Sequence, residues 1–434
     1  VSRARTALAV LAALALAAGL VAVLRHGAAP AGEDAPAGEA VRALLDRRAR
    51  AVLERDEAAF TADLDPEADP AFLAAQRGLF AALGGVPLAE WSYRVAGAGG
   101  AAGDESSGDE PGGDEPGRDE RGGDESGGDE RALTVLLSHR LSGVDERAGE
   151  KPLGYLFSRR GDRWLLTSDT APGRTTWRGP WDFGPVRAGT ARGGLVLAHP
   201  GGEAQAARAL AELDDAVDAV TEVLGPRWSG RVAVLVPSGD AELRALVGDG
   251  FAGGGLAAVA VSDPVVPGRA PTGQRVVLNP AVVAPLPDVQ FRVLLRHEIT
   301  HVATRASVVD GAPMWLLEGF ADHVGYRGSG LPADQVAPAL AARVRAGDPP
   351  SALPSDADFR GAGIDLAYQE AWSFAEHLAQ AHGEPALLAL HDRLTALGPA
   401  AAADLDAALR ATTGAGLTEQ LAAWRGFLTT TFTP

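Results

Sequence analysis

The tightest constraint on this fold lies in residues 297–322. His297 and His301 stand four residues apart in the run His297, Glu298, Ile299, Thr300, His301. On a helix that spacing sends both imidazoles from one face, about one turn apart, so they can bind a single tetrahedral cation. Glu298 lies about 100° round the helix from His297 and about 60° from His301, near enough to reach a water held by the cation without replacing a ligand. A catalytic zinc keeps three protein ligands and one open position. The best-placed third ligand is Glu318, 17 residues after His301. Pro313 suits the first turn of a second helix, in which Leu316, Leu317, Phe320 and Val324 supply apolar positions. The chain must therefore bring two separate helices to one point. Asp322, one turn beyond Glu318 on the same face, can accept the free ring N–H of a ligand histidine and fix its tautomer. His323 is the competing third ligand; it sits about 140° round the helix from Glu318, so the two cannot face one cation together.

HEITH followed by WLLEGFADH resembles the gluzincin branch of the zincin metallopeptidases, especially the bacterial peptidase MA-like domains and, more distantly, the aminopeptidases. The resemblance covers residues 186–434 and implies Zn2+ held by His297, His301 and Glu318, with Glu298 as general base. Sixteen residues separate His301 from Glu318, slightly fewer than in the aminopeptidases, which trims a loop and leaves the ligand set intact. Residues 366–378 resemble the Y-x-x-(G/A) helix of aminopeptidases, whose tyrosine points at the transition state. This implies a catalytic Tyr368 that stabilises the oxyanion. From the residues alone, Tyr368 equally reads as a ring packed on Trp372, four positions on. His377 and His382 read as structural. Zincins hold substrate as an added strand on an exposed sheet edge, here by resemblance near residues 255–261. That stretch lacks the glutamate of the aminopeptidase G-x-M-E-N segment, so an aminopeptidase is not supported.

Cysteine is absent from the 434 residues, which excludes disulfides and thiolate metal sites. The net charge of −18 argues against a nucleic-acid partner. Much of it is local: residues 104–130 carry twelve acids and two arginines, a net of 2 − 12 = −10. Near the amino terminus, Arg3 and Arg5 precede an uncharged run over residues 6–24. Its 19 residues would span about 28 Å as a helix, close to a bilayer's hydrocarbon thickness. The run reads as a single-pass anchor with its amino terminus inside. A cleaved signal is the alternative, with Ala29, Pro30 and Ala31 as an A-x-A site. Either reading carries the rest across the membrane.

The expected organisation is α+β: an anchor or signal at 1–27, a tether at 28–38, a first domain at 39–175, a linker at 176–185 and a metallopeptidase domain at 186–434. Residues 39–64 read as one long amphipathic helix, with Val41, Leu44, Leu45, Val52, Leu53 and Phe60 at helical spacing, and a second helix covers 70–83. Strands follow at 91–95, 133–141, 153–159 and 164–167. Two helices and then an antiparallel sheet resemble the cone fold of nuclear transport factor and ketosteroid isomerase. The acidic glycine-rich stretch, taken as 97–131, is an insertion in that sheet, too poor in apolar residues to order itself. Further strands are expected at 195–198, 231–236, 256–261 and 275–278, a helix at 203–224, and helical segments again at 364–381, 385–397 and 402–427, the last with breaks at Gly414 and Gly416.

The functional expectation is a membrane-anchored, extracytoplasmic zinc peptidase acting on peptide or protein substrates. The alternatives are an inactive zinc-containing peptide-binding module and a structural envelope protein whose working part is the acidic insertion.

Overall fold

The computed structural model describes residues 35–96, 129–248, 255–264, 270–361 and 363–433. The expected span at 6–24 and nearly all of the acidic insertion lie outside these residues. No helix among the described residues is long and apolar enough to cross a membrane.

The protein is α+β. Helix α1 (Ala35–Glu54) buries Val41, Leu44, Leu45 and Val52, whereas Leu53 is 47% exposed. The expected single helix over 39–64 is broken at Arg55, which takes φ 60°. The amide of Asp56 bonds back to the carbonyl of Ala51, closing the turn as a glycine usually would. The Arg55 guanidinium bonds the carbonyls of Leu83 and Val86, which offsets the strained backbone. Asp56 then caps α2 (Glu57–Thr61) through the amide of Ala59. Asp69 and Pro70 start α3 (Pro70–Leu83).

A four-stranded antiparallel meander follows, β1 (Leu88–Val95), β2 (Glu130–Leu141), β3 (Gly149–Arg160) and β4 (Arg163–Ser168). Glu130 and Arg131, the last residues of the acidic stretch, already pair with Ser158 and Phe157. After the meander, Trp181 of the segment 176–185 is 3% exposed, its ring centroid 5.2 Å from that of Trp91 and 5.7 Å from that of Trp177.

The second sheet comprises β5 (Arg187–Ala191), β6 (Gly194–Ala198), β7 (Val232–Val236), β8 (Ala258–Val261) and β9 (Arg275–Leu278), in the order β5-β6-β7-β9-β8. Strands β6, β7 and β9 are parallel, while β5 and β8 run antiparallel at the two edges. Alternation along the strands divides the core. Val196, Val234, Val276 and Leu278 face α4 (Glu203–Leu224) and the later helices. Leu195, Leu197, Leu235, Val259 and Val277 join the core of the N-terminal half. Both faces are thus covered, and β6, β7 and β8 read as continuous apolar runs. Helix α5 (Asp240–Val247) follows β7.

Beyond β9 the chain is helical: α6 (Pro280–Val283), α7 (Asp288–Thr304), α8 (Met314–Tyr326), α9 (Ala333–Val336), α10 (Pro338–Arg345), α11 (Ile364–His382), α12 (Glu384–Thr395), α13 (Ala402–Thr413) and α14 (Leu417–Phe432). Residues 315–325 of α8 are all buried, so this helix runs through the core. It packs closely on α11 because Gly319 has no side chain; a Cβ there would stand 2.5 Å from the carbonyl oxygen of Ala371.

Candidate metal centre

Helices α7 and α8 cross with their expected ligand faces together. The Nε2 atoms of His297 and His301 lie 3.0 Å apart. One oxygen of Glu318 is 3.2 Å from Nε2 of His297 and 3.6 Å from Nε2 of His301. The three donor atoms fall within 4.8 Å of one another, a group able to hold a metal ion. Nδ1 of His297 lies 2.8 Å from Oδ1 of Asp322. A carboxylate only accepts, so Nδ1 carries the proton, and in the neutral ring Nε2 presents its lone pair to the cluster.

The cluster is buried: His297, Glu298, His301 and Glu318 are between 0% and 5% exposed. Both oxygens of Glu298 and both of Glu318 are buried without a hydrogen-bond partner. Leaving four carboxylate oxygens unpaired in the interior is costly unless a cation answers them. Two imidazole nitrogens and a carboxylate oxygen are also the donor set that zinc takes in three-ligand sites. The residues fit a bound divalent metal.

Electrostatics point the same way. Burial pushes the Glu318 carboxyl up, but the adjacent His301 and His297 overcome it and hold it at about 2. Burial opposes charge on His297, yet Asp322 and then Glu318 raise its pKa well above the ordinary imidazole value. Glu298 is raised, first by burial, against the attraction of His297 and His301 and an opposing contribution from the amide of Ala260 in β8. The site is thus a carboxylate-rich pocket that favours positive charge.

Tyr368 of α11 is 6% exposed. Burial, followed by the field of Glu318, Asp322 and Glu298 and an interaction with the Glu318 carboxylate, raises its pKa well above that of a free phenol. It therefore stays protonated as a donor beside the cluster. Its ring packs edge-on against Phe359 at 5.2 Å. Trp372, the neighbour expected from spacing, meets Tyr326 instead at 6.1 Å. Nothing around Phe359 in the sequence signalled that contact, because it joins a loop to a helix by tertiary packing alone.

His323 faces away from the cluster. Its Nδ1 is 2.8 Å from Glu376 and its Nε2 3.4 Å from Glu384. Its ring is committed to α11 and the start of α12, which removes it as a third ligand. His377 is buried between the rings of Phe374 and Phe427, and Nε2 of His382 meets Gln420 at 3.0 Å. His377 packs in the core, whereas His382 is exposed, and neither joins the cluster.

No known protein family matches the chain, and no curated protein is similar to it.

Proposed function

We propose that the protein is a zinc-dependent peptidase of the gluzincin type. One observation carries the reading: the buried convergence of His297, His301 and Glu318, with the unpartnered carboxylate of Glu298 on the same helix as both histidines. Support also comes from β8, an edge strand antiparallel to β9 and close to Glu298 through Ala260. A peptide added to that edge would lie alongside the cluster. The N-terminal half consists of three helices, α1 to α3, followed by an antiparallel meander, and we read it as the cone-like fold.

Bound to His297, His301 and Glu318, zinc would supply Lewis acidity to the scissile carbonyl and to the attacking water. Glu298 takes the proton from that water as it attacks and returns it to the leaving amine. Tyr368 donates its hydroxyl proton in a hydrogen bond to the carbonyl oxygen as negative charge develops there. Asp322 holds the His297 ring in the tautomer that ligation requires.

The test is metal analysis of the purified protein coupled to cleavage of a diverse peptide library. About one zinc per chain with zinc-dependent cleavage is expected, and a protein without stoichiometric zinc would overturn the reading. Burial of all the site's side chains favours a second reading, a zinc-holding module that binds without hydrolysing. Full zinc with no cleaved peptide would select it.

Two graded effects follow. In Asp322→Asn the amide can still accept from Nδ1 but carries no charge, so zinc affinity should fall about 10–100-fold while kcat at saturating zinc changes little. Competition with a chelator measures this; wild-type affinity would remove Asp322 from its role. Tyr368→Phe should keep its zinc and lose about 2.7–4 kcal/mol of transition-state stabilisation, read as kcat. Unchanged kcat would return Tyr368 to a packing role against Phe359.

A further inference from the structure

We propose that Lys151 and Asp145 are positioning residues through which the N-terminal half latches β8, β9 and the ligand helix α7 in place. The kinetic consequence rests on the peptidase reading; the latch itself rests on geometry.

Lys151, the only lysine in the chain, projects from β3. Its ammonium pairs with Asp263, and the two side chains are 20% and 7% exposed. It also lies 5.3 Å from the ring centroid of Trp177. Asp263 stands just past the end of β8. Its second oxygen accepts the Thr272 hydroxyl at 2.8 Å, and its amide donates to the Thr272 carbonyl at 2.9 Å. The packing around it admits no extra atom, since a Cβ on Gly149 would stand 2.5 Å from Oδ2 of Asp263.

The second pin is parallel to the first. Asp145, in the turn between β2 and β3, is fixed by the amide of Leu141 at 2.8 Å. It accepts both arms of the Arg275 guanidinium at 2.6 and 2.7 Å, each side chain 9% exposed. Arg275 opens β9 and is the register partner of Val261 in β8. The preceding Gln274 donates to the carbonyl of Val302 at 2.6 Å, one residue after His301. The two pins therefore grip both strands of the edge pair at the same end, and one of them continues to α7.

A four-residue edge strand with a ladder on one side is weakly held by its own hydrogen bonds. Charge-assisted contacts from the N-terminal half supply the missing restraint. Loosening them should blur the strand on which a peptide would align and leave the ligands in place.

The experiment uses the full zinc-loaded chain with Lys151→Met, Asp145→Asn and the conservative Lys151→Arg. Hydrogen exchange should quicken about tenfold across 258–263 and 275–278 in the first two variants, with α1–α3 unchanged and Lys151→Arg close to wild type. Zinc content should hold, and KM should rise about tenfold with kcat within about twofold. Unchanged exchange in the edge pair, or a uniform increase along the whole chain, would overturn the latch. If wild-type protein holds zinc and cleaves nothing, the peptidase reading fails while the exchange result still decides the latch. Should a variant not fold, acetylation of Lys151 in the native wild-type protein decides: the paired amine should react at least about tenfold more slowly than in the unfolded chain, and equal rates would overturn the proposal.

Discussion

Glu298→Gln is expected to keep its zinc and lose its turnover. Glu298 lies between two ligand residues on α7, is 0% exposed, and has neither oxygen committed to a side-chain donor. Its carboxylate is thus free to accept a proton within the cluster. The amide copies its shape and offers no basic oxygen, so the step in which water loses its proton has no acceptor. General acid–base catalysis of this kind contributes about 10²–10⁴-fold, and kcat should fall by at least that factor with KM little changed. Wild-type turnover in this variant would eliminate Glu298 as the base, whatever the metal analysis showed.

His301→Ala should lose the metal itself. It removes one of three donors and leaves Glu318 with a single imidazole neighbour, His297, at 3.2 Å. Zinc affinity should drop by orders of magnitude, because the open fourth position cannot make up for a missing protein ligand. His323→Ala is the matched control. It also deletes a buried histidine one or two turns from the ligand face, but that ring is engaged with Glu376 and Glu384. Its zinc content should stay at wild-type level. If His301→Ala retained full zinc, or if His323→Ala lost it, the ligand assignment would be wrong.

The local part of this architecture was readable from the chain. The i, i+4 histidines and the Glu318 and Asp322 pair depend only on helical spacing, and the helices formed where apolar periodicity placed them. The same holds for α3, α4 and the strands with clear period-two or continuous apolar runs. What escaped was decided by tertiary contact. The break after α1 uses Arg55 at positive φ, steadied by carbonyls some thirty residues away, so no glycine marked it. Strand β5 has the polar pattern Arg-Ala-Gly-Thr-Ala and exists because β6 offers it a ladder. The partners of His323 and Lys151 lie on elements distant in sequence, and each contact depends on how the layers stack.

The second sheet contributes to two cores at once, and this bears on how the chain is made. Ribosomes deliver roughly 5–20 residues per second, and amino-terminal units ordinarily fold first. Here the first meander emerges before Leu195, Leu197, Leu235, Val259 and Val277, the side chains that complete its own core. Until β9 has been synthesised, the nascent chain carries an open apolar surface that only later residues can cover. Severing the chain between the halves would leave both fragments with that surface exposed. The two halves are therefore bound by order of synthesis as well as by contact, and a chaperone that shields the unfinished sheet would have its place in the interval before β9 appears.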